Sequence, residues 1–207
     1  MTADELLLRR AVVFASGVGY WAGVFIQARR IRRHIGKSPN VRPRGIKEQA
    51  LWAGWFLVVA NWLGQPLIAG SGALPHWLLP IESFSNLPCL LAGIALIAAG
   101  YAATLWCYRV MGDTWRMGID RAEITALVKR GPYRRVRHPI YLFQIVMLAG
   151  AALLLPTALS LAALALHLVC VLIKASDEEA YLRASHGQDY QNYCLTTGRL
   201  LPRFRHG

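Results

Sequence analysis

Five apolar runs separated by polar loops dominate the pattern of this chain. Leu6 to Gln27 is apolar apart from Arg9 and Arg10, and Gln49 to Ile68 is apolar and rich in Trp. Leu87 to Tyr108 carries no charge and is long enough to cross roughly 30 Å of hydrocarbon as a helix. Ile140 to Leu155 and Thr157 to Ile173 are shorter, roughly 24–26 Å each at the helical rise, with Pro156 between them. This pair predicts a helical hairpin that spans a thin region or stops just short of the far side. A buried soluble core would explain the short pair alone, but not its three longer neighbours. The pattern therefore predicts an all-α integral membrane protein of about five transmembrane segments, the last two forming a hairpin.

From Lys174 onward the chain becomes polar but keeps helical spacing through Leu182, Tyr190 and Tyr193, which predicts a cytosolic helical tail. Gly187 is expected to break it, and Gly198 and Pro202 to end regular helix. Gly17, Gly19 and Gly23 lie inside an apolar run with no preceding strand, so they do not make a dinucleotide loop and no Rossmann fold is expected. Gly19-x-x-x-Gly23 instead predicts a close helix-packing face, as do Gly93 and Gly100. There is no internal repeat and no low-complexity linker, so residues 1–207 read as a single membrane domain with three N-terminal helices in 1–110.

Composition agrees with the pattern. The chain is 55% hydrophobic and 16% charged, against about 25% charged for a soluble domain, and its mean hydropathy is +0.34. The net charge of +12 is unevenly placed. Arg29, Arg30, Arg32, Arg33, Lys37, Arg42, Arg44 and Lys47 fill the first loop, and Arg109, Arg116, Arg121, Lys129, Arg130, Arg134, Arg135 and Arg137 the third. The second loop, Ala69 to Asn86, has no Lys or Arg and one Glu82. The positive-inside rule then puts the first and third loops and the C-terminus in the cytoplasm, and the N-terminus outside. Arg9 and Arg10 run against that orientation. Because the basic clusters border membrane spans, anionic lipid headgroups are their expected partners, and nucleic acid is not. Acidic residues precede the first apolar run, which does not read as a cleavable signal.

Cys89, Cys107, Cys170 and Cys194 form no CxxC, and the six histidines form no HExxH, so no metal site is predicted. His167 stands out inside an apolar run. It is either a functional polar group at membrane depth or a neutral imidazole bonded to a neighbouring helix.

Candidate chemistry lies at the polar ends of the hairpin. Gly131-Pro132-Tyr133 and Arg137-His138-Pro139-Ile140-Tyr141 precede it, and Asp177-Glu178-Glu179, Tyr190 and Tyr193 follow it. A hairpin brings these ends together at one membrane surface, where convergent polar groups at the rim of an apolar cavity make a small-molecule site.

At these residues the chain resembles the isoprenylcysteine carboxyl methyltransferases and their relatives among membrane phospholipid methyltransferases. The matching pattern runs Gly112-x-x-Trp115-Arg116, Leu127-Val128, Gly131-Pro132-Tyr133, Arg137 to Tyr141, Glu178-Glu179-x-x-Leu182, Gly187-x-x-Tyr190-x-x-Tyr193 and Arg199-Leu200-Leu201-Pro202. It covers roughly the C-terminal half. The resemblance implies that residues 111–207 form a catalytic methyltransferase half with a cytosolic pocket for S-adenosylmethionine. That pocket would use Thr125, Ala126, Leu127, Val128, Tyr133, Arg137, His138, Tyr141, Glu178 and Glu179, with Pro139 and Ile140 shaping the wall. The residue types suit the ligand: aromatic rings for adenine and sulfonium, a carboxylate for ammonium or ribose, cations for the carboxylate. Arg137 is alternatively one more positive-inside charge, and Glu179 the partner of a nearby Arg.

The resemblance further implies an amphiphilic lipid or lipidated acceptor entering from the bilayer. The isoprenylcysteine enzymes carry an Arg one turn before the first Glu, where it contacts the substrate carboxylate; here Lys174 stands there, a charge without the bidentate fork. Lys174 is thus a substrate-binding candidate or a snorkelling helix-end residue. His186 stands where the family has Phe. No catalytic residue is assigned: a carboxylate acceptor needs no base, whereas a phenol, hydroxyl or amine would call on Glu178, Glu179, His138 or His167. A sterol-reductase-like enzyme using a nicotinamide cofactor, and a non-catalytic lipid-binding protein, fit the same architecture.

Overall fold

The computed structural model describes residues 2–40, 43, 45–70, 75, 79–118 and 124–203. Arg42, Arg44 and Arg121 of the basic loops, and most of 71–78 in the second loop, lie outside these residues. Five long helices form in the expected order: α1 (Ala3–Ile35), α2 (Ile46–Ile68), α3 (Leu87–Met111), α4 (Pro139–Leu154) and α5 (Ala158–Thr196). Among the described residues there is no sheet, only two isolated bridges.

The helix ends follow local chemistry. Thr2 caps α1 by accepting from Glu5 N at 3.2 Å, with Asp4 and Glu5 in the first turn and Arg32, Arg33 and His34 in the last. Asn86 caps α3 through Cys89 N at 2.9 Å, and Thr157 caps α5 through Ser160 N at 3.1 Å. Gly187 breaks α5, with non-helical φ 52° and ψ −125°, as its sequence position predicts.

Four of the helices are long and apolar enough to cross a membrane, and α4 is a shorter apolar helix. Within the apolar windows of the four long helices only 17–39% of residues are buried. Leu7, Phe14, Phe25, Leu57, Leu91 and Leu168 are among the large apolar side chains exposed. An apolar outer belt of this size is a lipid-facing surface, where helices satisfy their backbone groups internally.

Helix α3 packs most extensively on α4. A Cβ at Gly93 would meet Leu154 Cγ at 2.8 Å, one at Gly100 would meet Met147 Cγ at 2.6 Å, and one at Gly150 would meet the Gly93 carbonyl at 2.7 Å. Small residues here let the two backbones approach, as expected for Gly93 and Gly100. The expectation for Gly19-x-x-x-Gly23 needs correction. Nothing lies within 4 Å of a Cβ at Gly19, and Gly23 meets only Tyr101, at 3.5 Å. The close contact on α1 is at Gly17, against Leu63 at 2.7 Å, because that face of α1 turns toward α2.

Arg9 and Arg10 have a structural explanation. Arg9 is fully buried, and its guanidinium donates to the carbonyls of Leu153 (3.2 Å), Leu154 (3.3 Å) and Asn86 (2.8 Å) and to Glu5 Oε1. It supplies the last carbonyls of the short α4 with donors that no further helical turn provides. Arg10 donates to Pro66 O and Leu67 O at the end of α2. The hairpin turn beside them is buried too: Leu154, Leu155 and Thr157 have no exposed surface. Gln65 donates to Thr157 Oγ1 at 2.6 Å and accepts from Ser160 Oγ at 2.8 Å, closing the turn against α2. The hairpin thus stops inside the helix bundle.

Candidate functional site

At the opposite end, two chain segments lock the polar motif in place. Gly131, with φ +59°, starts a 3-10 turn (Gly131–Arg134) that buries Tyr133. Residues 135–138 then run beside 198–199: Gly198 N donates to Arg135 O, Arg137 N to Gly198 O and His138 N to Arg199 O, at 2.9–3.2 Å. Tyr193 OH donates to Tyr133 O at 2.5 Å, which ties the second half of α5 to the same turn.

These constraints set the two carboxylates of α5 in different surroundings. Glu178 accepts from Tyr141 OH at 2.7 Å, and its Oε2 lies 3.4 Å from His138 Nδ1. The His138 and Tyr141 rings stack at 5.7 Å with 15° between planes. Glu178 keeps 24% of its side chain exposed, on the wall of a cavity of about 490 Å³.

Glu179 is fully buried. Arg137 Nε donates to it at 2.9 Å, Arg199 Nη2 at 2.8 Å and Arg183 Nη2 at 3.3 Å, while His138 Nε2 lies 3.4 Å from Oε1 without hydrogen-bond alignment. Burial alone pushes the His138 imidazole down. The nearby Glu178 and Glu179 carboxylates outweigh that and raise it above the usual 6.5.

Eleven of the thirteen residues singled out in the sequence line the cavity: Thr125, Ala126, Leu127, Val128, Tyr133, Arg137, His138, Ile140, Tyr141, Lys174 and Glu178. Pro139 and Glu179 do not. Pro139 is buried at the first turn of α4, where its fixed φ starts the helix. Glu179 faces the arginines, so it organises Arg137 and Arg199 and takes no part in the wall. Lys174 is only 8% exposed, lines the cavity, and has no hydrogen-bond or ion-pair partner among the described residues. It shares the Glu178 face of α5, one turn away. Tyr190 and Tyr193 join the same wall.

The sequence reading missed the other end of this cavity. Tyr20 and Trp21 of α1 and Trp52, Trp55, Phe56, Val59 and Trp62 of α2 line it, with Gln144, Leu148 and His167 opposite. The 52-55-56-59-62 spacing on α2 is a single helical stripe, and that was the available signal. Trp52 and Phe56 are also 46% and 71% exposed, so the cavity has an aromatic rim on the lipid-facing side of α2. His167 does not have the helix-to-helix bond that was one expectation: neither ring nitrogen has a partner among the described residues.

Residues 88–189, just under half of the chain, match the phospholipid methyltransferase family. Through this stretch the chain is similar to that family. No curated protein matches the chain significantly. The phospholipid methyltransferase stretch runs from the start of α3 into α5 and contains the polar end of the cavity up to Asp189. Tyr190, Tyr193 and Arg199 follow it, and the aromatic arm on α1 and α2 precedes it. Family and fold together support a membrane methyltransferase acting on lipid-like substrates.

Proposed function

We propose that the protein is an S-adenosylmethionine-dependent methyltransferase that methylates a membrane-partitioned amphiphile, with the carboxylate of an isoprenylcysteine-like or other lipid acid as acceptor. The observation that carries this reading is the two-ended cavity. A polar end built from Glu178, Tyr141, Arg137 and Lys174 continues into an arm lined by Trp52, Trp55, Phe56 and Trp62. Its volume of about 490 Å³ falls within the ~300–1,000 Å³ usual for ligand sites.

The donor set of the polar end fits the cofactor. Glu178 presents a partly open carboxylate, oriented by Tyr141, to an ammonium or ribose hydroxyl. Tyr133, Tyr190 and Tyr193 offer ring faces to adenine and sulfonium, and Arg137 offers a cation to a carboxylate. When bound, S-adenosylmethionine supplies an electrophilic methyl group for in-line displacement, which depends on holding donor and acceptor in near contact. Lys174 holds the anionic end of the acceptor, since no protein carboxylate occupies it. Glu179 is committed to arginines, so it does not serve as a base. A carboxylate acceptor needs none.

The aromatic rim at Trp52 and Phe56 supports lateral entry of the acceptor from the bilayer. The basic loops beside the polar end support a cytoplasmic cofactor site and C-terminus, an outside N-terminus, and residues 1–207 as one membrane domain. The test is purification in detergent, incubation with methyl-labelled S-adenosylmethionine and total membrane lipid, and mass spectrometry of the extract. Saturable cofactor binding with label in a lipid is expected. Saturable binding of a nicotinamide nucleotide instead, or of neither, overturns the reading.

A further inference from the structure

The apolar arm contains polar groups that the reading above does not use. His167 lies on α5 two helical turns, about 10 Å, deeper than Lys174. It is 4% exposed, it stands on the cavity wall, and both its ring nitrogens lack hydrogen-bond partners among the described residues. Trp21 Nε1 on the same wall is likewise buried without an acceptor. Elsewhere in the arm such groups are satisfied: Gln144 donates to the Tyr20 hydroxyl, and Trp62 Nε1 donates to Ser16 Oγ at 3.0 Å.

A buried polar atom without a partner is costly, and folded proteins carry few of them. His167 interrupts a run from Leu161 to Val171 in which leucine would remove that cost. A neutral imidazole presents one donor and one acceptor, and the indole one more donor. A hydroxyl, which both donates and accepts, complements this set. A plain hydrocarbon chain satisfies none of it.

We propose that His167, with Trp21, forms a neutral hydrogen-bonding subsite for a hydroxyl carried part-way along the apolar portion of the acceptor. The substrate class is then a hydroxylated amphiphile whose anionic end rests at Lys174. This rests on the reading of the cavity as an acceptor site, and it adds a specificity element at membrane depth.

Ricinoleate and oleate, which differ by one mid-chain hydroxyl, are suitable probes. Native mass spectrometry of the full chain in detergent, titrated with each acid and no methyl donor, reads the preference directly. The intact protein is expected to favour ricinoleate by about tenfold. His167→Leu is expected to bind the two acids equally, and His167→Gln to keep part of the preference. Should His167→Leu not be recovered folded, His167→Phe takes its place. No preference in the parent, or an undiminished preference in the leucine or phenylalanine variant, overturns the subsite. Because no methyl donor is present, a failure here is separable from a failure of methyl transfer, which a parallel S-adenosylmethionine titration reports.

Discussion

Tyr141 donates its hydroxyl proton to Glu178 at 2.7 Å, joining the first turn of α4 to α5 across the wall of the cavity. The next residue, Glu179, points the other way into three arginines. Adjacent carboxylates thus divide the work, one facing the cavity and one holding the frame.

Neutralising each carboxylate should therefore produce different losses. Glu178→Gln is expected to weaken S-adenosylmethionine binding by roughly ten- to a hundredfold, as for a lost charge-assisted bond of about 1.5–3 kcal/mol. Tyr141→Phe should cost only a few-fold. Glu179→Gln should chiefly lower stability. Breaking a buried pair costs about 3–5 kcal/mol, and the half-exposed Arg183 and Arg199 can rehydrate, which favours the lower end. Calorimetry and thermal unfolding in detergent separate these outcomes. Unchanged cofactor affinity in Glu178→Gln would remove the assigned pocket.

Lys174 gives a second prediction. Lys174→Met keeps the apolar stem and loses the charge, so kcat/KM on a carboxylate acceptor should fall roughly ten- to a hundredfold with cofactor affinity nearly intact. Lys174→Arg should retain or improve activity, because the guanidinium fork can bind both oxygens. Equal turnover in all three proteins would end the anchoring role. A gain in Lys174→Met would point to an amine acceptor.

The His138 environment predicts a pH dependence. Its folded value is raised above the usual 6.5, so the fold favours the protonated ring. That contribution is complete below about pH 6.5 and is lost as pH rises through the raised value. The Tm advantage of the parent over His138→Gln should shrink as pH rises from about 6.5 through the raised value. An advantage that grows with pH would reverse the sign and exclude the carboxylates as the cause.

Arg9→Met should destabilise the protein by about 1–3 kcal/mol for the buried carbonyls it leaves unmet at the end of α4. Arg9→Lys should recover only part, since an ammonium cannot reach the Leu153, Leu154 and Asn86 carbonyls in one planar fan. A parent-like Tm for Arg9→Met would show that these bonds do not hold the helix end.

The five helices, the hairpin at Pro156 and the break at Gly187 were legible because apolar runs and glycine punctuation are local signals. The polar end was legible because its residues flank one hairpin and cluster in sequence. The rest depended on contacts distant in sequence. Arg199 reaches Glu179 only because the 198–199 segment runs beside 135–138, and nothing in residues 174–182 announces that neighbour. The aromatic arm sits on helices whose Trp residues also suit lipid-facing anchors, so the stripe on α2 gained meaning only against α5. Gly17 and Gly19 differ by which face of α1 meets α2. Arg9 and Arg10 read as misplaced charges until the ends of α4 and α2 are seen beside them.

The Trp52 and Phe56 rim leaves the chamber open to the hydrocarbon. The far tail of an occupant can trail among lipid chains there without being enclosed. Selection then acts on the head and the proximal segment, within reach of Lys174 and His167. Acceptors of widely different total length should compete on nearly equal terms.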